Sequence, residues 1–508
     1  MGRCRPAGRT QHLAIMKTSK DTDFPTVIPN WINGREQASL SGRTFSKMAP
    51  AAGDLLCEVS RSDREDINLA VEAARDSQPA WGGMGALRRG MILFKIARAM
   101  EDHTEQLAGI VAEETGRSPK EAVGEVGAAI QCAMFYASEG QRFYGRTTTS
   151  GMEHRSAMTL RQPIGVAGLI IAANTPIANL AWKVFPALVC GNSVVLKAAE
   201  DTPCSAWYFG RFAKEAGIPD GVLNIVQGFG PEAGQPLVEH PNVGVVSFTG
   251  STEVGRTIAG ITAARLAKVS LELGGKNALV VADDCNLDAA VKWTLLSAFS
   301  NAGQRCAAAS RIIVMRGVYG LFKTRLLEAV GKLKVGIRED CDFGAVINER
   351  QLNKMIEGIR NAVDAGASLL AGGGRITGDE RASGFYMQPT VLEGVTADSD
   401  YCRNELFGPI TALFEVSGFE EAIDLVNDSP YGLTACLHSG SLNRCQEFIR
   451  RTEVGVVSIN AGTHGSEPHM PFGGRKQSGN GTREPSTEAL DIYSNLKDVY
   501  TLHDPGMV

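Results

Sequence analysis

The chain has 508 residues, 44% of them hydrophobic and 21% charged, and 51 basic against 56 acidic residues leave a net charge of −5. That is ordinary globular composition, enough for about three domains or two large ones. It excludes a disordered chain and offers no basic footprint for nucleic acid or a membrane surface.

No apolar run reaches the roughly 18 residues of a membrane-spanning helix. The 57 glycines follow no Gly-x-y period. The 11 cysteines are scattered, with no C-x-x-C pair and no histidine pair at zinc spacing. Neither a disulfide framework nor a metal site is expected, and a reducing, cytoplasmic setting is. Most of the cysteines are expected to be small core residues.

Met1 to Lys20 carries Arg3, Arg5, Arg9, Lys17 and Lys20 and no acidic residue. A transit peptide would have this composition. Pro6 and Gly8 interrupt it without an apolar stripe, so a disordered tail over 1–20 is expected, and Met16 is an equal candidate for the start.

Pro50 to Ser60 reads as a loop and a short strand. From Asp63 the apolar period becomes helical, with Ile67, Ala70, Val71 and Ala74 on one face. A second helical region runs from Ala86 to Glu114, broken near His103, and a third from Glu121 to Tyr136. This first quarter shows no obvious chemistry.

From Arg161 the chain alternates. Gly165–Ala173, Ser193–Lys197, Leu223–Val226 and Val243–Phe248 are continuous apolar runs, as strands buried on both faces require. Thr202-Pro203 reads as an N-cap and first helical residue, with Gly217 closing that helix. Thr249-Gly250-Ser251 leads into a helix reaching about Lys268. Strand, helix, strand at this spacing gives a parallel sheet covered on both faces. Val269–Val281 reads as a strand pair. A second α/β stretch runs from Asp288 to Val457, with helices over Asp288–Ala298, Val318–Val330 and Leu352–Ala365. The end, Ala489–Tyr500, reads as an edge strand open to a second subunit.

Four places carry chemistry. Cys306, among small residues in Asn301-Ala-Gly-Gln-Arg-Cys, is a candidate nucleophile; alone it would be a core cysteine. Glu272, between leucines and before Gly274-Gly275, is a candidate base, because a poorly solvated carboxylate has a raised pKa. Taken alone it would be a salt-bridged structural residue. Asn174 sits where ligands bind a parallel sheet and can donate to an oxyanion, though Asn before Thr-Pro is also a common turn. Phe248-Thr-Gly-Ser-Thr-Glu-Val-Gly255 joins a strand to a helix whose N-terminus, with Ser251, can hold a phosphate. It is not G-x-G-x-x-G, and a tight turn is as good a reading.

Together these stretches resemble the aldehyde dehydrogenase superfamily. IAANTPIANLAWK, GNSVVLKAAEDTP, FTGSTEVGR, LELGGKN, GQRCAAASR, NELFGPI and PFGGRKQSGNGTRE occur in the family's order over about 27–500. The resemblance implies a Rossmann-type cofactor domain (21–144 and 161–271), an α/β catalytic domain (272–470) and a β oligomerisation arm (145–160 and 485–500), giving a homodimer or homotetramer. It implies oxidation of an aldehyde to the acid with NAD, or NADP in members that keep this Glu200. Cys306 would form a thiohemiacetal and then a thioester, Asn174 and the Cys306 N–H would hold the oxyanion, and Glu272 would activate water. Lys183 and Glu484 match proton-relay positions. Lys197 and Glu200 would meet the adenosine ribose, Ser251 the pyrophosphate, and Glu405 the nicotinamide ribose beside Phe407. Ala172, Gly230, Phe248, Gly250, Gly255 and Leu273 would complete the cofactor site. The family's frequent Pro-Trp-Asn reads Ala172-Ala173-Asn174 here, and Lys-Pro reads Lys197-Ala198; neither removes a reacting group.

Asn179, Trp182, Arg305 and His464 fall at substrate-pocket positions. Arg305 precedes the nucleophile, as in branches that oxidise semialdehydes bearing a carboxylate, such as α-ketoglutaric or succinic semialdehyde. A framework ion pair would suit an arginine equally. The alternatives are a broad enzyme for uncharged aldehydes, a coenzyme A-acylating member, which would generally lack Glu272, and a noncatalytic nucleotide-binding relative.

Overall fold

The computed structural model describes residues 25–507; the expected tail over 1–20 lies outside them. Two seven-stranded sheets form the frame. In the first, five parallel strands run in the order Lys268–Glu272, Val243–Thr249, Val166–Ile170, Ser193–Lys197 and Leu223–Val226. The three central ones are apolar because helices cover both faces, and Val166–Ile170 and Ser193–Lys197 are buried at every residue. Two short antiparallel strands, Asn30–Ile32 and Arg35–Gln37, extend the edge beyond Leu223–Val226. The sequence reading missed both, since three residues carry no usable period.

Chain order reverses between Val166–Ile170 and Val243–Thr249. Ligands bind such sheets outside the strand carboxyl ends at this switch point. Register aligns those ends: Phe248 lies opposite Ile170, Ile170 opposite Lys197, and Thr249 opposite Glu272.

The helix Arg64–Gly83 buries Ile67, Ala70, Val71 and Ala74, and Asp63 caps it with a reciprocal bond to Asp66. Helices Ala86–Asp102 and Thr104–Thr115 break at His103, and Gly116 ends the second at φ 72°. The next helix is Pro119–Glu139. Helix Pro203–Glu215 begins where expected, but Thr202 makes no side-chain cap bond. The buried Glu114 carboxylate caps it instead, accepting from Cys204 N at 2.9 Å and Ser205 N at 3.2 Å.

Three other expectations are corrected. The helix after Ser251 ends at Ala264, and Lys268 already opens a strand. Lys268–Glu272 and Asn277–Val281 do not pair; the second belongs to the other sheet. Ala489–Ile492 is a short helix, and the terminal strand is Ser494–Leu502. That strand pairs antiparallel with Arg155–Pro163 inside the same chain, in a three-stranded sheet whose far edge is Thr147–Thr149.

The second sheet runs Ser368–Ala371, Thr390–Glu393, Ile410–Val416, Ala309–Met315, Asn277–Val281, Thr434–His438 and Val456–Ile459, parallel except for its first pair. The turn carrying Cys306 enters it at the amino end of Ala309–Met315, facing the carboxyl end of Lys268–Glu272. No described helix is long and apolar enough to cross a membrane.

Candidate active site

Of the ten described cysteines, eight are buried; Cys285 and Cys306 are half-buried. Cys306 sits in a turn held from three sides. Asn277 Nδ2 donates to Cys306 O at 2.7 Å and Ala308 O at 2.9 Å. Thr463 Oγ1 donates to Ala307 O at 2.7 Å. Upstream, Asn301 and Ala302 adopt left-handed backbone at φ 56° and 51°, a costly conformation for Ala, followed by Gly303 at φ 64°. A Cβ on Gly303 would lie 2.0 Å from Gly408 O, so only glycine fits.

Asn174 reaches this turn. Its Nδ2 donates to Gln304 O at 3.0 Å, which occupies one of its two N–H groups. Asn301 Nδ2 bridges Asn174 O at 3.1 Å and Gln304 O at 3.0 Å. Asn179 donates to Asn174 Oδ1 at 3.3 Å and Thr175 Oγ1 at 2.8 Å, setting the amide's orientation.

Glu272 ends its strand fully enclosed, and neither carboxylate oxygen has a hydrogen-bond partner among the described residues. Burial pushes its pKa well above the ordinary carboxylate value; the Glu484 carboxylate adds to this, and Lys183 and Arg483 oppose it. Burial also pushes the Cys306 thiol up to about 12, with Glu405 and Glu272 adding and the Ala307 N–H and Arg305 opposing. Cys306 therefore rests as a thiol, close to a carboxyl group whose hold on a proton burial strengthens.

Lys183 and Glu484 form a fully buried ion pair at 2.7 Å. Ser247 links them, accepting from Lys183 Nζ at 2.7 Å and donating to Glu484 Oε1 at 2.8 Å, and Tyr493 Oη donates to the same oxygen at 3.1 Å. The pair acts on Glu272 through charge, but no hydrogen bond joins it to Glu272.

The cofactor candidates lie along the strand ends. Lys197 Nζ meets Glu200 Oε2 at 2.8 Å. Burial works to raise the Glu200 carboxyl, but Lys197 outweighs it and holds it below the ordinary range. Ser251 caps helix Thr252–Ala264, accepting from Val254 N at 3.4 Å. Three glycines line this surface where a side chain has no room: a Cβ would lie 2.3 Å from the Phe248 ring at Gly250, 2.6 Å from Leu273 at Gly255, and 2.3 Å from Glu405 Oε2 at Gly274. Glu405 accepts from Gly275 N at 3.1 Å, and burial lifts it to about 7. Phe407, at φ 58°, lines a small cavity with Glu405, Lys276 and Arg305. Two enclosed carboxylates, a helix N-terminus and glycines pared to backbone together fit a dinucleotide. Ala172 follows strand Val166–Ile170, and Gly230 opens the turn Gly230–Gly234, where a Cβ would meet nothing.

Trp182 and Arg305 are further substrate candidates. The Trp182 ring sits 5.4 Å from that of Phe472. The side chain of Arg305 has no hydrogen bond or ion pair among the described residues, and its Nε is enclosed. The framework pair open to it on residue type is not formed. Burial and the nearby Arg117 pull its guanidinium below its ordinary pKa. Arg117, bonded to Glu125, keeps Nε and Nη2 unpartnered. The sequence reading missed Arg117, Asn301 and Asn277. Only Asn301 had a local signal, since Asn tolerates left-handed backbone.

The aldehyde dehydrogenase family model matches residues 37–499. The chain belongs to the aldehyde dehydrogenase family. It is 38% identical to the α-ketoglutaric semialdehyde dehydrogenase of Bacillus subtilis over 93% of this chain and 97% of that one. A probable NADP(+) succinate-semialdehyde dehydrogenase of Sinorhizobium fredii is 40% identical over 89% and 92%. A betaine aldehyde dehydrogenase of Staphylococcus aureus, solved in complex with NAD+, superposes with TM-score 0.92 at 31% identity, covering 94% and 95%. This aldehyde dehydrogenase thus has the family's fold as well as its sequence, and aldehyde oxidation is its chemistry.

Proposed function

We propose that this enzyme is a hydrolytic, NAD(P)-dependent dehydrogenase for small semialdehydes bearing a carboxylate. The observation that carries it is the pairing of a buried, unpartnered Glu272 with the Cys306 turn, and of an unpaired Arg305 directly before that cysteine. Cys306 Sγ adds to the aldehyde carbon and its proton goes to Glu272. The developing oxyanion takes the free N–H of Asn174 and the Cys306 N–H. When bound, the nicotinamide dinucleotide supplies the two-electron acceptor. Lys197, Glu200, Ser251 and Glu405 would hold it, with Ala172, Gly230, Phe248, Gly250, Gly255, Leu273 and Phe407 shaping the site. The acidic Glu200 favours NAD by repelling a 2′-phosphate. After releasing that first proton to solvent, Glu272 deprotonates the water that hydrolyses the thioester left on Cys306; the acid leaves, the Cys306 thiolate takes the proton back from Glu272, and Lys183 and Glu484 tune that carboxyl by charge.

We place the cofactor half over 21–144 and 161–271, the catalytic half over 272–470, and an oligomerisation arm over 145–160 and 485–500. Strand Ser494–Leu502 keeps its outer edge unpaired, with Leu496, Tyr500 and Leu502 exposed. Light scattering at micromolar concentration is expected to give a dimer or tetramer mass; a monomer overturns this.

Substrate charge is tested on Arg305. The wild type is expected to favour succinic semialdehyde over hexanal in kcat/KM, and Arg305→Ala to cut that preference by roughly one to two powers of ten. Lys restores part of it, because it lacks the planar fork. An equal loss on both substrates would make Arg305 structural.

A further inference from the structure

The two oxyanion donors come from different sheets. Asn174 follows strand Val166–Ile170 of the first, and Cys306 lies in the turn before strand Ala309–Met315 of the second. Asn174 Nδ2 is anchored at 3.0 Å on Gln304 O, two residues before Cys306. The spacing of the donors is therefore set across the junction between the sheets.

Asn301 spans that junction. It is 3% exposed, and its Nδ2 spends both N–H groups, one on Asn174 O at 3.1 Å and one on Gln304 O at 3.0 Å. The Asn174 and Asn301 amides together fill both lone pairs of Gln304 O. The Asn301 main chain is held as well. Glu121 Oε1 accepts from Asn301 N at 2.5 Å, and Asn301 O accepts from Gln304 N at 2.9 Å and Gln304 Nε2 at 3.3 Å.

The left-handed backbone alone does not account for an asparagine here. Asn301 sits at φ 56°, ψ 34°, but Ala302 beside it holds φ 51°, ψ 36° with no polar side chain. Glycine would take this conformation at less cost. What glycine would lack is the amide across the junction.

We propose that Asn301 is a positioning residue whose amide fixes the distance between the Asn174 side chain and the Cys306 N–H, and with it the geometry in which the oxyanion is held. The proposal rests on the oxyanion reading of Asn174 and Cys306. Asn301 acts through Asn174 and Gln304. Oxyanion donors work only when aimed at the place where charge develops, and a displacement of about 1 Å costs up to about a hundredfold in rate.

The test is Asn301→Gly, which keeps the left-handed turn and removes the amide. With propanal, kcat and kcat/KM are expected to fall together by about tenfold to a hundredfold, leaving KM unchanged. Two probes of Cys306 separate aim from damage. 1,1,1-Trifluoroacetone adds to it as an aldehyde does: Sγ bonds the carbonyl carbon, the thiol proton passes to Glu272 and the C=O pair moves onto oxygen. Its inhibition constant should rise by the factor that kcat/KM loses. Iodoacetamide alkylates the same sulfur by displacing iodide, with no oxyanion formed, and should keep its rate within about twofold. Wild-type kcat/KM in the variant overturns the proposal. So does an alkylation rate that falls as far as kcat/KM, since the turn as a whole would then be damaged. Asn174→Ala keeps the two readings apart. If its kcat/KM and ketone inhibition match the wild type, the oxyanion reading fails and takes the proposal with it. If they worsen while Asn301→Gly is unaffected, only the positioning role fails. Should Asn301→Gly not fold, Asn301→Asp decides. It favours the same turn but sets oxygen against both carbonyls, so ketone inhibition should weaken by about tenfold or more while alkylation holds. Equal losses on the two probes, or none on the ketone, overturn the proposal.

Discussion

Cys306→Ala is expected to abolish aldehyde oxidation, by on the order of four powers of ten or more, while leaving dinucleotide binding intact. The covalent route needs a thiolate, and no other described cysteine sits in this turn; Cys285, the other half-buried one, lies just before helix Leu287–Phe299. The Cys306 side chain makes none of the bonds that hold its turn, which run through Cys306 O, Ala307 O and Gln304 O, so the surroundings should survive the substitution. NADH formation and calorimetric NAD binding, measured on one preparation, check both halves. Turnover above a trace would put the nucleophile elsewhere. The thiol's protonation gives a companion measurement. Pushed up to about 12, it is mostly protonated at pH 7, and the reactive thiolate grows as pH rises. Iodoacetamide labelling of Cys306 should therefore accelerate steeply between about pH 7 and 10; a flat profile would mean a thiolate already formed.

Glu272→Gln is expected to lower kcat by about two to four powers of ten, with deacylation hit hardest. The amide fills the same space but takes no proton from water. The expected time course is a burst of about one NADH per site followed by slow turnover, because the thioester accumulates. Near-normal turnover in the variant would overturn the hydrolytic reading, as would a parent enzyme that needs coenzyme A. Stability should move the opposite way. The carboxyl is raised in the folded state, so ionising it weakens the fold progressively as pH climbs from the unfolded carboxylate value toward the raised one. A neutral amide lacks that penalty and the repulsion from Glu484. Glu272→Gln should thus melt no lower than the parent at pH 7, and higher at alkaline pH. A lower melting temperature would mean that Glu272 is held by a structural bond.

The sequence by itself determined the parallel core and singled out the candidate reacting groups. Strands covered on both faces must be apolar throughout, so Ser193–Lys197 and Leu223–Val226 were legible to the residue. The one-faced burial of Arg64–Gly83 wrote a helical period just as plainly. Cys306, Glu272 and Asn174 stood out because each lies in a short run of particular residues. Tertiary structure alone decided what those groups meet. Glu272 and Asn277 are five positions apart yet belong to different sheets. Gly274 and Gly275 turn the chain between them, where a Cβ would lie 2.3 Å from Glu405 Oε2 and 2.7 Å from Cys306 O. The partner of the terminal strand, Arg155–Pro163, is more than three hundred residues away, and an edge pattern names no partner. Arg117 and Arg305 likewise approach each other only after folding. Local sequence records which face of an element is buried, because burial sets residue type along that element. It does not record which distant charge shares the enclosed space, and that neighbour decides whether Arg305 is spent on the framework or left for a substrate.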